Sequence, residues 1–180
     1  MATSAASRRH STPSCRRLRT GRVIAAGRNR ARLDELLSLG ADETIALTDD
    51  AEATAAAYAR AASEVDVFID YVWGPPTELA MQAVLGARTH HTRPLDWVQL
   101  GGMGGTTLTL SGHELRSHAL RIQGSGFGSA ELEACAFPEL AAIAAGAITV
   151  RPRPFPFADV EKAWAHRDAT GERAVVLLRG

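Results

Sequence analysis

Arg28 and Asn29 directly follow the short apolar run "RVIAAG". An arginine behind a buried strand has a specific chemical use. At the rim of a doubly wound parallel sheet this position meets the adenosine ribose of a dinucleotide. A carboxylate there accepts hydrogen bonds from a free 2′-hydroxyl, whereas a guanidinium offers a planar fork of donors to a 2′-phosphate. The positional logic favours NADPH over NADH. Taken locally, the same arginine is a solvated surface cation, and only the fold around it decides between the two uses. Asp70 and Tyr71 close the β-prone run "VDVFIDYV" at the same expected rim. Asp70 would serve equally well as a site residue or as a helix-capping acid ahead of Pro75 and Pro76. Two glycine-rich strand ends, Gly101 to Gly105 and Gly124 to Gly128, would let a ligand approach the backbone or would simply make tight turns. Neither is a GxGxxG that opens a helix.

Other chemistries find less support. In "HELRSH", His113 and His118 are five residues apart, which on a helix separates them by about 140° and rules out the two-histidine zinc arrangement. His90 and His91 sit in a polar stretch with Arg88 and Arg93 and lack spaced cysteine or carboxylate partners, so solvated rings are expected. Cys15 and Cys135 form no CxxC pair, which suggests neither a disulfide framework nor a zinc knuckle and makes a reducing cytoplasm the default. "GSGFGS" has the wrong spacing for a nucleophile elbow, and carboxylates near the expected rim are too few for paired acid/base hydrolysis. Trp73, Trp97 and Trp164 read as core or interface anchors, because no basic groove surrounds them to make base-stacking platforms.

The elements that would position these residues alternate. After "RVIAAG", the segment "NRARLDELLSLG" carries Leu33, Leu36, Leu37 and Leu39 at helical spacing, with Gly40 as a C-terminal cap. "ETIAL" reads as a strand, Asp49 to Ser63 as an alanine-rich helix, "VDVFIDYV" as a buried strand and "PPTELAMQAVLGA" as a helix with prolines in its first turn. "DWVQLGG" is a further strand, "HELRSHAL" a short helix leading to "RIQGSGFG", and Glu131 to Ala145 a helix. The proline-punctuated "TVRPRPFPF", the helix "ADVEKAWAH" and the apolar run "RAVVLL" complete the chain. This βαβα order predicts an α/β fold with a parallel sheet, helices on its faces and right-handed crossovers.

Composition sets the outer limits. A chain of 180 residues that is 46% hydrophobic can build one ordinary core. Its 20 basic and 20 acidic residues cancel, so no net field favours nucleic acid or an anionic membrane. No apolar run approaches the roughly 18 to 20 residues needed to span a bilayer. The balance hides an asymmetry: nine arginines and no acid fall within residues 1–33. Residues 1–20 hold almost no large apolar residue, and Pro13 interrupts any helix, so this basic segment is expected to be disordered or displaced.

From Gly21 onward the chain resembles the nucleotide-binding half of the medium-chain dehydrogenase/reductase superfamily, near its quinone oxidoreductase and zinc-type alcohol dehydrogenase branches. The resemblance rests on "RVIAAGRN", "LLSLGADETI", "VDVFIDYVWG", "WVQLGG", "RIQGSGFG" and "FADVEKAWAHRDATGERAVVLL", six weak motifs in the family's order. It implies a Rossmann-like doubly wound sheet over residues 21–180. It further implies that Arg28 and Asn29 take the adenosine 2′-phosphate and that Asp70, Tyr71 and Val72 lie near the nicotinamide riboside. Gly101 and Gly102, then Gly126 and Phe127, would present backbone to the nicotinamide. The implied reaction is hydride transfer between NADPH and a quinone, enone or other carbonyl compound, zinc-independent in this chain, with the cofactor carrying the chemistry.

Departures from the pattern are equally specific. The sheet order of this fold, 3-2-1-4-5-6, makes the first strand central, and its glycine loop holds the pyrophosphate at a helix N-terminus. The sequence offers no candidate for that strand, and "RRHSTPSCRRLRT" lacks the apolar helix expected after it. The family's GroES-like substrate domain, which supplies most substrate contacts and any catalytic zinc ligands, has no counterpart either. A reading-frame change or misplaced start within a longer gene is the expectation. A cleaved organelle-targeting segment is the rival, since its composition is similar. The closing "RAVVLL" would leave an edge open to association, including a homodimer. A catalytically inactive nucleotide-binding remnant, or an interaction module completed by a partner chain, stand as alternatives to an oxidoreductase.

Overall fold

The computed structural model describes residues 21–126, 144–146, 152–166 and 173–178, together with the backbone of 3–7. The chain divides into two compact units, Met1–Ala130 and Glu131–Gly180. In the first, strands β1 (Thr3–Ser7), β2 (Arg22–Gly27), β3 (Glu43–Ala46), β4 (Val67–Asp70), β5 (Leu95–Gln99) and β6 (Leu120–Gly124) form one sheet in the order 3-2-1-4-5-6. Helices α1 (Arg30–Ser38), α2 (Ala51–Ala62), α3 (Pro75–Ala87) and α4 (Gly112–Ser117) connect them. This is the α/β, doubly wound arrangement expected from the alternation of elements, with β2–β3, β4–β5 and β5–β6 all parallel.

Each helix boundary has a local cause. The Asn29 side chain accepts from the Arg32 amide at 3.1 Å and starts α1. Its end is a Schellman turn: Gly40 at φ 107° lets its own amide reach the Leu37 carbonyl and the Ala41 amide reach that of Leu36. Asp50 caps α2 through the Ala53 amide at 3.0 Å. Pro75 and Pro76 occupy the first positions of α3, where no amide is needed. The core lies where α2 and α3 cover β4 and β5. Phe68 and Trp97 stack there at 3.8 Å, surrounded by Ile45, Met81, Val84 and Leu85. At the opposite edge from the strand C-termini, the buried Arg88 donates to the carbonyls of Ser63, Val65, Arg93 and Pro94 and staples two connections together.

The central place in the sheet corrects the reading of residues 1–20. It is filled by Thr3–Ser7, which runs antiparallel to both β2 and β4, with Thr3 opposite Ala26 and Ser7 opposite Arg22. A run of threonine, serine and alanine carries no apolar signature. Yet a slot between two strands with unpaired backbone on both sides accepts any extended segment that can complete the hydrogen bonds. Residues 8–20, both cysteines, and the helix expected over 131–145 apart from 144–146 lie outside the described residues.

The second unit contains β7 (Pro152–Pro156), a single 3-10 turn, α5 (Val160–Ala165) and β8 (Arg173–Leu177), with β7 and β8 parallel. Prolines at 152, 154 and 156 share one side of β7, so that side has no amide donors, while Arg153 and Phe155 keep theirs for the other. Val175, Leu177 and Leu178 on and after β8 are exposed, as is Trp164 on α5.

Candidate functional site

All the sequence-derived site residues that are described fall at the C-terminal rim of the first unit's sheet, where a doubly wound fold binds ligands. A cleft of about 680 Å³ opens there between the ends of β2, β3 and β4 and the first turns of α2 and α3. Leu47, Val72, Pro75, Pro76 and Leu79 give it apolar walls, Arg28 and Asp49 stand on its lining, and Met103 and Gly104 close one side. Arg28 is exposed and forms no ion pair among the described residues. Thr48 and Thr54 satisfy one another, the Thr48 amide donating to the Thr54 hydroxyl at 3.2 Å. Asn29 differs from its expected role in one respect: its side chain is engaged as the α1 cap, which leaves only its backbone to face a ligand.

Asp70 is turned inward. Only 1% of its surface is exposed. One carboxylate oxygen accepts from the amides of Val72 (2.8 Å) and Trp73 (3.0 Å), the other from the Thr77 hydroxyl (2.6 Å) and the Trp97 indole (3.0 Å). Four donors occupy the carboxylate, yet it caps no helix: α3 begins after Gly74 with no side-chain cap, so in place of either expected use Asp70 anchors the turn after β4. The expected approach of this side chain to a ligand is corrected accordingly: a strand-terminal acid is drawn inside because an indole, a hydroxyl and two turn amides all need an acceptor there. Those amides belong to a strained turn. Trp73 has φ 56°, a left-handed conformation unusual for an aromatic residue, and Gly74 follows at φ 68°.

The strain brings two backbones together. A Cβ on Gly101 would lie 2.5 Å from the Tyr71 carbonyl oxygen, and one on Gly104 would lie 2.6 Å from that of Trp73. The glycines of "GGMGG" thus allow the turn after β4 to nest against the turn after β5. Beside them a second pocket of about 470 Å³ is lined by Trp73, Gln99, Gly102, Gly105, Thr106, Ile122 and Gly124. Gly126 lies exposed just beyond β6, and Phe127 is outside the described residues. Thr48, Thr54, Tyr58 and Gln99 line the two pockets without having been singled out from sequence, and Trp73, expected as a core or interface anchor, lines the smaller one. The available signal was position, since Thr48, Trp73 and Gln99 sit at or just past strand ends.

His113 faces Ser117 at 3.2 Å, while His118 stacks on His91 with ring centres 4.6 Å apart. Among the described residues no three His, Cys, Asp or Glu side chains converge to hold a metal ion. No described helix is long and apolar enough to cross a membrane.

No protein-family profile and no curated protein sequence matches the chain. Solved structures do. A quinone oxidoreductase from Pseudomonas syringae pv. Tomato DC3000 aligns over 92% of this chain and 51% of its own, at 18% identity and a TM-score of 0.65. The mycobacterial protein Rv1454c, complexed with NADPH, aligns over the same shares at 20% identity and 0.65. An NAD-dependent alcohol dehydrogenase aligns over 93% of this chain and 47% of its own, at 20% identity and 0.69. The fold is therefore that of one half of such dehydrogenases, and the chain spans about half the length of the structures it matches.

Proposed function

We propose that the chain binds an adenine dinucleotide along this rim, NADPH in preference to NADH, in the service of hydride transfer to a quinone, enone or other carbonyl compound. The observation that carries this reading is the Arg28 guanidinium, without an ion pair among the described residues, on an apolar cleft at the strand ends. The adenosine half fits the residues present. Arg28 would hold the 2′-phosphate, and Leu47, Val72 and Pro76 would flank the base. Gly101 and Gly102, with Trp73, Gln99 and Gly124 around the smaller pocket, would offer backbone and shape to the nicotinamide half. When bound, NADPH supplies the hydride; the chain's own residues orient it and keep water from its flat faces.

A fluorescence titration with NADPH and NADH tests the reading. Arg28→Ala should weaken NADPH by about 10- to 100-fold, the range of a charge-assisted hydrogen-bonded pair, with little effect on NADH. Equal loss for both would remove the 2′-phosphate role, and binding of neither by the unaltered chain would sink the nucleotide reading.

One observation favours a second reading. Because β1 runs antiparallel, its last residue, Ser7, lies opposite Arg22 at the rim away from the clefts, so the central strand does not end at the pyrophosphate position. A chain that binds the adenosine end and catalyses nothing alone, or that associates with a partner through the exposed β8, accommodates this. Binding without turnover on simple quinones and enones, or a shift in sizing chromatography with a candidate N-terminal fragment, would support it.

A further inference from the structure

Tyr58 lies on α2 with only 4% of its surface exposed, its ring tilted against Phe68 at 6.0 Å. It lines the large cleft and also a narrow recess beneath it, shared with Leu47, Asp70, Val72 and Thr77. Among the described residues its hydroxyl has no hydrogen-bond partner, yet it is not one of the buried unpartnered atoms: it opens to the cleft, where a ligand can meet it. Its polar neighbours have theirs: Thr48 and Thr54 bond one another, and Asp70 holds four donors. Burial, and then the negative charge of Asp70, push the phenol's pKa up, so it stays a protonated donor at neutral pH.

We propose that Tyr58 is a specificity-determining residue, its hydroxyl donating to a ring nitrogen of a purine held between Leu47, Val72 and Pro76. The inference rests on the nucleotide reading above and adds the group that recognises the base. Apolar walls select a flat ring without choosing among rings, whereas one fixed donor selects a ring with an in-plane acceptor. Arg28 on the same lining places the anionic part of the ligand at a different point, so the two residues read different halves of an adenosine phosphate.

The two roles separate experimentally by calorimetric titration of the full chain with 5′-AMP and with 2′,5′-ADP. Tyr58→Phe should weaken both by the same factor, about 3- to 10-fold for one lost hydrogen bond, and leave the melting temperature nearly unchanged. Arg28→Ala should weaken only 2′,5′-ADP. The chain has two tyrosines, Tyr58 and Tyr71, so a nucleotide-induced tyrosine difference spectrum that survives Tyr71→Phe reports Tyr58 even if Tyr58→Phe folds poorly. Unchanged affinity in Tyr58→Phe, or no difference spectrum on binding, would overturn the Tyr58 role and leave the cleft reading standing. Failure of the unaltered chain to bind either nucleotide would overturn both.

Discussion

Asp70→Asn should destabilise the first unit rather than blunt its ligand binding directly. The amide keeps one oxygen, which can still accept from the Val72 and Trp73 amides, but the other atom becomes a donor facing the Thr77 hydroxyl and the Trp97 indole. The hydroxyl can rotate; the indole N–H, buried with Trp97 at 0% exposure, cannot. One charge-assisted hydrogen bond thus becomes a buried donor–donor contact, a change of about 2–4 kcal/mol. For a unit of this size, thermal denaturation followed by near-ultraviolet circular dichroism should show a fall of about 10 °C. Release of the Trp97 indole should also shift tryptophan emission. If the variant melts within about 1 °C of the parent and only nucleotide affinity changes, Asp70 faces the ligand and the anchoring argument is wrong.

Four further outcomes follow from named contacts. Gly101→Ala should cost about 2–3 kcal/mol in chemical denaturation, since its methyl group would sit 2.5 Å from the Tyr71 carbonyl, a backbone atom that cannot swing aside. Arg88→Met should lower stability by about 2–4 kcal/mol, because the carbonyls of Ser63, Val65, Arg93 and Pro94 lose their shared donor. Asp49→Asn should tighten NADPH more than NADH by about 2-fold in a titration, by removing a negative charge from the cleft that holds Arg28. Burial alone would raise the Glu64 pKa, but hydrogen bonds from Thr89 and His90 and the nearby His90 charge outweigh it and pull the value from 4.5 to about 2. The lowered folded value means that Glu64 stabilises the fold fully above pH 4.5 and loses this as pH falls towards 2. Glu64→Gln should therefore flatten the acid limb of stability across that window.

The rim was legible because strand ends are legible. "RVIAAG", "VFID" and "DWVQ" are apolar and β-prone, and the residues just past them, Arg28, Val72, Gly101 and Gly102, do gather at one edge. What residues do there was less visible. Asp70 ends a strand as a ligand-binding acid would, but its direction is decided by Thr77 and Trp97, partners 7 and 27 residues away that no local pattern connects to it. Tyr58 lies on an alanine-rich helix face where an aromatic reads as core. Only the opening of its hydroxyl to the cleft, with no partner among the described residues, sets it apart, and that is a property of packing. The small strand Thr3–Ser7 was invisible for another reason: its place depends on the backbone needs of β2 and β4, not on its own side chains.

That strand's direction divides the rim into two chemically unequal halves. The cleft around Arg28 is built from residues at the ends of β2, β3 and β4 and on α2 and α3, so on the proposed reading the adenosine end of a dinucleotide would find shape and charge there. The pyrophosphate would depend on amides at the N-terminus of a helix following the central strand, and the antiparallel β1 ends at the far rim, Ser7 opposite Arg22. An adenosine phosphate should consequently retain most of the affinity that a full dinucleotide shows for this chain, because the pyrophosphate adds charge with no helix N-terminus after the central strand to receive it. A dinucleotide that bound several hundredfold more tightly than 2′,5′-ADP would contradict this, and would require other backbone amides, such as those of Gly102 and Gly105, to hold the pyrophosphate instead of a helix N-terminus after the central strand.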